Sequence, residues 1–290
     1  MICWDERVIL RRTGRGLHFP GAVTGSTVRH KTGPPCLLPR RGCCCYPDRR
    51  GATPMFMLFV AAGMGLMVLA HIAPFPFLLD ALARGRSHWE MPPGEGAPRV
   101  YLTYDDGPNP TATPALLDVL AREGAVATFF LLDRHLNADT APIVARMFDE
   151  GHAVALHSHT RRLMFLSPTE FAQTLQAAAD RIEQLTGHRP CRAFRPHGGW
   201  RSGQMYVGLA LIDHTLIGWG WWLWDWDWFR SPAPERLVRR FVGRVSDGDI
   251  IVMHDGHHED PRADRQYAVD ATARLVPVLR DRGFAFGTIC

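Results

Sequence analysis

Polar and apolar positions divide the chain into distinct regimes. Residues 1–54 keep no sustained period of two or 3.6 and are rich in Gly, Pro and Thr, a pattern without a face to bury. Residues 55–79, MFMLFVAAGMGLMVLAHIAPFPFLL, are almost wholly apolar, with His71 the sole ionisable side chain. Residues 80–98 return to Gly, Pro and charge and read as a linker. From 99 onward, short apolar runs alternate with amphipathic stretches to residue 290.

That alternation predicts strands at 100–104, 126–131, 153–156, 193–194, 215–217, 250–253 and 284–289. Helices fall between them. Thr113 caps one, with Pro114 at the first helical position where a missing N–H costs nothing, and it ends near Gly124. A second covers about 141–150 and stops at Gly151. Ser167-Pro168-Thr169-Glu170 is a capping box, followed by Phe171, Leu175, Ala178, Ile182 and Leu185 along one helical face. Leu237, Phe241 and Val245 mark another helix, and a last one lies near 265–282. The run 250–253 has no polar alternation, as in a strand buried on both faces. Strand-helix repetition over 99–290 predicts an α/β fold with a parallel sheet.

Charge changes the picture at the N-terminus. Arg7, Arg11, Arg12, Arg15, Arg29, Lys31, Arg40, Arg41, Arg49 and Arg50 face only Asp5, Glu6 and Asp48 within 1–54. Because the basic residues concentrate there and not around the strand ends, no nucleic-acid partner is expected. Cys43-Cys44-Cys45 leaves no room for an ion between ligands, so it is not a zinc site. Met55 or Met57 makes a natural start, and 1–54 reads as a disordered or non-native extension. About 20 apolar residues span a bilayer, so 55–79 is expected to be a transmembrane anchor. Arg49 and Arg50 favour keeping the preceding flank in the cytoplasm and exporting the rest. With no small-x-small cleavage site before Pro74, an uncleaved anchor is preferred to a signal peptide. The expected location is the cell membrane, single-pass, with the 99–290 domain facing the periplasm or cell exterior.

In α/β folds of this kind, ligands bind beyond the carboxyl ends of the strands. There the chain places Asp105-Asp106-Gly107-Pro108, His157-Ser158-His159, Arg195-Pro196-His197-Gly198-Gly199 and His254-Asp255. Asp-Gly-Pro by itself is a turn, but four sets of Asp, His and Arg at corresponding strand ends exceed what turns require. Adjacent carboxylates divide labour between binding a cation and taking a proton from water. Carboxylate with histidine suits Zn²⁺ or a similar divalent ion that keeps positions open for water and a carbonyl oxygen.

On these strings residues 99–290 resemble the polysaccharide deacetylases, metal-dependent carbohydrate esterases with a distorted, incomplete (β/α) barrel. The resemblance implies that Asp105 is the general base, and that Asp106 and His157 are ligands of a divalent ion, zinc by expectation. It implies further that Arg195 positions the base, His254 is the general acid, and Asp227, in Asp227-Trp228, tunes that acid. Departures are as informative. The second motif's last histidine is Arg161, the third motif's tyrosine is His197, and an aspartate expected in the fourth is Trp224.

Three arrangements answer the missing ligand: His159 or His197 substitutes, or Asp106 and His157 hold a weakly bound ion completed by water. In the third, the Arg161 guanidinium replaces the ion's charge, and the site binds sugar without hydrolysing it. Arginine stays protonated and is no ordinary metal ligand. Joint retention of Asp105, Asp106, Arg195 and His254 favours catalysis. Pro196, Trp228 and Arg161 are the expected substrate contacts, since aromatic faces suit sugar rings or acyl chains. The expected function is metal-dependent removal of an acyl group, N-acetyl foremost, from an amino sugar of an envelope polysaccharide or lipid-linked saccharide. The contrasting class is a non-catalytic carbohydrate-binding protein. Cys191 and Cys290 pair only if the fold brings them together.

Overall fold

Residues 99–105, RVYLTYD, form strand β2 (Arg99–Asp105), with every position after the first buried. The computed structural model describes residues 54–71, 87–94, 96–226 and 228–290. β2 pairs in parallel with β3 (Thr128–Leu131) on one side and β7 (Ile250–His254) on the other. The sheet continues from β3 through β4 (Ala153–His157), β5 (Ala193–Arg195) and β6 (Thr215–Ile217) to β1 (Ser87–His88). Beyond β6 the chain curls back. Gly220 N–H donates to the Ile250 carbonyl at 3.0 Å, and Val252 N–H to that of Leu223 at 2.8 Å. The result is a parallel, curled half-barrel with an α/β connectivity.

Period two gives each strand an inner and an outer face. Tyr101, Phe130, Ala155, Ala193, Ile217, Trp219, Ile250, Val252 and Ile289 cluster inside. Leu102, Tyr104, Phe129, Val154, Leu156, Phe194, Ile251 and Met253 belong to a second cluster with the helices. Burial on both faces explains the apolar runs. Counting on in twos from the inner residues reaches Thr103 and Asp105, then His157, Arg195 and His254. Register sets Asp105 level with His254, and His157 with Arg195. Polar groups are thus gathered at one mouth by strand periodicity and pairing alone.

Helices α2 (Ala112–Arg122), α3 (Ala141–Asp149), α4 (Pro168–Thr186), α5 (Gly203–Leu211), α6 (Pro234–Val242) and α7 (Gln266–Asp281) supply the outer layer. α4 begins at the expected capping box, Ser167 and Glu170 each accepting from the other's backbone. α2 departs from expectation. Thr111 occupies its N-cap position, while Thr113, one residue inside, donates its hydroxyl to the Asp255 carboxylate at 2.5 Å. Tertiary demand thus takes the side chain that would otherwise cap.

Other segments differ as well. Ser87–His88, inside the stretch that reads as a linker, pairs with β6, and the Trp89 ring lies 6.2 Å from that of Trp219. One aromatic anchor outweighs the surrounding Gly, Pro and charge. The final strand β8 (Ala285–Phe286) is shorter than expected and pairs with the start of β2. Thereafter Ile289 enters the inner cluster and Cys290 is disulfide-bonded to Cys191, with Cα atoms 6.2 Å apart. Of the expected span 55–79, helix α1 (Pro54–His71) is described, and 72–79 lie outside the described residues, as do 1–53. Among the described residues no helix is long and apolar enough to cross a membrane.

The loops after β2 and β7 interlock. Asp255 is buried beside Gly107, where a Cβ would stand 2.6 Å from its Oδ2. Gly256 N–H donates to the Asp105 carbonyl at 3.2 Å, and a Cβ on Gly256 would overlap the Asp106 carbonyl. Gly256→Ala should therefore destabilise the domain by about 1–3 kcal/mol, the usual cost of overpacking. Urea unfolding of the two proteins measures this, and equal stability would show that the loops do not lock together.

Candidate active site and metal centre

Asp105 ends β2 on the inner face and meets a guanidinium with no exposure to solvent. Arg195 Nη1 donates to Asp105 Oδ1 at 2.7 Å and to Thr103 Oγ1 at 2.8 Å. Its Nη2 donates to the Gly218 carbonyl at 2.9 Å, and its Nε to that of Ile217 at 3.3 Å. The Phe130 ring lies against the guanidinium plane, 3.9 Å from the central carbon. One carboxylate oxygen is so pinned, and the carboxylate's direction with it.

Asp106 faces elsewhere because its backbone is left-handed, φ 69°, a region that Asp tolerates better than most residues. Its Oδ1 lies 3.4 Å from His157 Nε2 and is buried without a hydrogen-bond partner. His157 Nδ1 donates to the Arg195 carbonyl at 2.7 Å, the tautomer that leaves Nε2 as a lone pair directed at the carboxylate. Asp106, His157 and His197 bring one ligand atom each within 4.8 Å of one another.

These residues fit a divalent ion. With ligand bonds near 2.0–2.1 Å, the ligand atoms of a tetrahedral site stand about 3.4 Å apart, the observed Asp106–His157 separation. Burial would raise the Asp106 pKa, but the contact with His157 and the surrounding imidazoles, the protonated His254 among them, hold it below the ordinary carboxylate range. Burial, with His157 nearby, lowers His197 to about 4, so its imidazole is neutral, as ligation requires. His135, buried behind the loop, directs Nδ1 at the Asp106 carbonyl at 3.2 Å and braces the same turn.

His254 stands at the end of β7. Its Nδ1 lies 2.8 Å from Asp225 Oδ1, and its backbone N–H donates to Asp225 Oδ2 at 2.9 Å. Tyr267 donates its hydroxyl to that second oxygen at 2.6 Å. Burial opposes charge on His254, but Asp225, aided by Asp106 and Asp105, pushes it up to about 9. The imidazole accordingly carries a proton at neutral pH.

Here the expected assignments need correction. Asp227, expected to tune His254, lies outside the described residues; among the described residues the carboxylate that bonds the histidine is Asp225. A single bridge between Trp224 and Val252 sets this register, which places Asp225 level with the end of β7. His159 is exposed and outside the ligand group, whereas His197 is within it. Arg161 is exposed on average, its guanidinium 5.1 Å from the Trp200 ring centroid, and it lines the cavity beside His197. Pro196 is buried as the N-cap of the short helix His197–Gly199. Of Trp228 only the backbone is described. Trp219, Trp224 and Trp226 line a cavity of about 260 Å³ with Asp105, Asp106, His157, Arg161, His197 and His254.

A family model for polysaccharide deacetylases matches residues 94–211. The chain is 35% identical over 198 residues to a chitooligosaccharide deacetylase of Sinorhizobium fredii, covering 66% of this chain and 90% of that protein. It is 29% identical over 201 residues to a peptidoglycan-N-acetylglucosamine deacetylase of Bacillus cereus, covering 69% and 90%. Among solved structures, a family 4 acetyl xylan esterase from Clostridium thermocellum, in complex with a cobalt ion, superposes with a TM-score of 0.57. That match has 28% identity and covers 66% of this chain and 87% of the esterase.

Two predictions follow from the geometry. After zinc loading and exhaustive dialysis, the wild type should retain about one ion per chain; His157→Ala and His197→Ala should lose it and His159→Ala should keep it, as elemental analysis would reveal. Activity that needs protonated His254 should fall as pH rises through about 9. Asp225→Asn removes the charge that raises His254 and should move this alkaline limb to lower pH in a kcat/KM profile. A shift in Asp227→Asn instead would return the role to Asp227.

Proposed function

Since this chain belongs to the polysaccharide deacetylase family, we propose that it hydrolyses the N-acyl amide of an amino sugar in a cell-envelope saccharide. The observation that carries this is the convergence, in one aromatic-walled cavity, of a pinned carboxylate, a ligand-bearing carboxylate and a protonated imidazole. At about 260 Å³ the cavity falls below the roughly 300–1,000 Å³ typical of sites for drug-sized ligands. It suits one sugar ring with its acyl arm, the rest of the saccharide extending over the rim.

Held by Asp106, His157 and His197, a divalent ion, zinc by preference, would supply Lewis acidity toward the acyl oxygen. The protein's own groups do the rest. Asp105, oriented by Arg195, removes a proton from the attacking water as its oxygen bonds to the acyl carbon. Cleavage of the carbon–nitrogen bond leaves an amine, to which His254 gives the proton on Nε2 while Asp225, itself held by Tyr267, keeps Nδ1 and the ring in place. Trp219, Trp224 and Trp226 offer apolar faces to the sugar and restrict water. A binding-only protein has no use for an acid–base pair of this kind.

We place the domain outside the cytoplasm and attach it to the membrane through 55–79. The Cys191–Cys290 disulfide supports export, because such bonds persist in oxidising compartments. Helix α1 exposes Met55, Phe56, Met57, Leu58 and Phe59, a surface suited to lipid. Its 18 residues extend about 27 Å against a hydrocarbon core of roughly 30 Å, so a full span needs residues from 72–79.

Acetate release from an N-acetylated chitooligosaccharide tests the proposal. Asp105→Asn should lower kcat/KM by about 10²–10⁴ with sugar binding retained. Undiminished hydrolysis would remove Asp105 as the base, and absence of release by the wild type would point to another acylated sugar or to the binding-only class.

A further inference from the structure

Resting on the metal-dependent reading above, we propose that His258 is an additional ligand of the ion held by Asp106, His157 and His197. None of the deacetylase motifs reaches this residue. It lies on the loop between β7 and α7, two residues beyond Gly256, whose close packing on the Asp106 backbone brings the loop over the site. His258 Nδ1 is 4.0 Å from Asp106 Oδ2, the carboxylate oxygen opposite the one that faces His157. Its ring centroid lies 4.8 Å from that of His197, tilted by 60°. Three imidazoles from three separate strand ends therefore surround one buried carboxylate.

The neighbouring His257 sets the loop's pose. Its Nδ1 accepts from the N–H groups of Glu259 and Asp260 at 3.0 and 3.1 Å, and its ring stacks on His258 at 4.6 Å and 21°. His258 remains 23% exposed, and a side-chain rotation that shortens 4.0 Å to about 3.4 Å would bring it to the separation of two ligands on one ion. Zinc sites can expand to five ligands, so a fourth protein donor still leaves a position for water or substrate.

The experiment uses the full chain. Zinc affinity is measured by competition with a chromophoric chelator, and the ligand field by visible absorption of the Co²⁺-loaded protein. His258→Ala should weaken zinc by more than about 100-fold, beyond the 10–100-fold typical of residues that merely support ligands, and should change the Co²⁺ spectrum. An unchanged melting temperature of the metal-free variant separates ligand loss from misfolding, and His258→Gln should reproduce the spectral change. Wild-type affinity and spectrum in His258→Ala would overturn the proposal while leaving the three-ligand centre intact. Weakening of 10–100-fold with an unchanged spectrum would also overturn it, making His258 a supporting residue. A wild type that binds no metal would end both this inference and the metal-dependent reading.

Discussion

Removing a guanidinium from water costs several kcal/mol unless its donors are met, and the mouth of this barrel is organised around meeting them for Arg195. The side chain reaches Thr103 and Asp105 on β2, the Ile217 carbonyl on β6 and the Gly218 carbonyl just beyond it. It packs on Phe130 of β3, and its own carbonyl accepts from His157 of β4. A neighbouring hydroxyl extends the network, since Thr103 donates onward to the Ile251 carbonyl of β7. Six strands are thereby held in register around one charge. Its partner carboxylate inherits a fixed direction, and loss of either member of such a buried pair typically costs about 3–5 kcal/mol.

A second constraint works from outside the barrel. The loop after β7 lies on the loop after β2 with so little space that Gly107 and Gly256 cannot carry a Cβ without displacing backbone or the Asp255 carboxylate. Burial pushes Asp255 up to about 7, opposed by the hydrogen bond from Thr113. Burial thus resists charge on the carboxyl beside the two acidic site residues, which limits the negative charge crowded at the loop junction. The same stacking carries His257 and His258 across the mouth. The loops after β5 and β7 thus each bring a histidine, His197 and His258, close to the carboxylate of Asp106.

The aromatic segment after β6 joins these two parts. Trp224 bridges to Val252, closing the curl of the sheet and lining the cavity, while Asp225 turns inward onto His254. Structural and chemical functions alternate residue by residue along this segment. A shift of one position would exchange the carboxylate for an indole and leave His254 without its counter-charge, which is the strict consequence of period-two geometry.

How much of this was legible in the sequence follows from the range of the interactions. Strand periodicity, the capping box at Ser167 and the Asp and His clusters at strand ends are local, and they determined the α/β class and placed Asp105, Asp106, His157, Arg195 and His254 at one mouth. Spacing could not choose between His159 and His197, because the choice depends on where the loop after β5 lies relative to β4; the hydrogen bond from His197 N–H to Ser158 Oγ, at the turn that begins there, brings His197 into the ligand group, while His159 is exposed outside it. Nor could it separate Asp225 from Asp227, two positions apart in a tryptophan-rich run, until the bridge to Val252 set the register. Whether Cys191 and Cys290, 99 positions apart, meet was equally beyond local pattern. Local sequence thus determined which chemical groups the site has, through periods of two and 3.6; tertiary structure decided which of them touch, because pairing register and loop packing join residues that no sequence spacing relates.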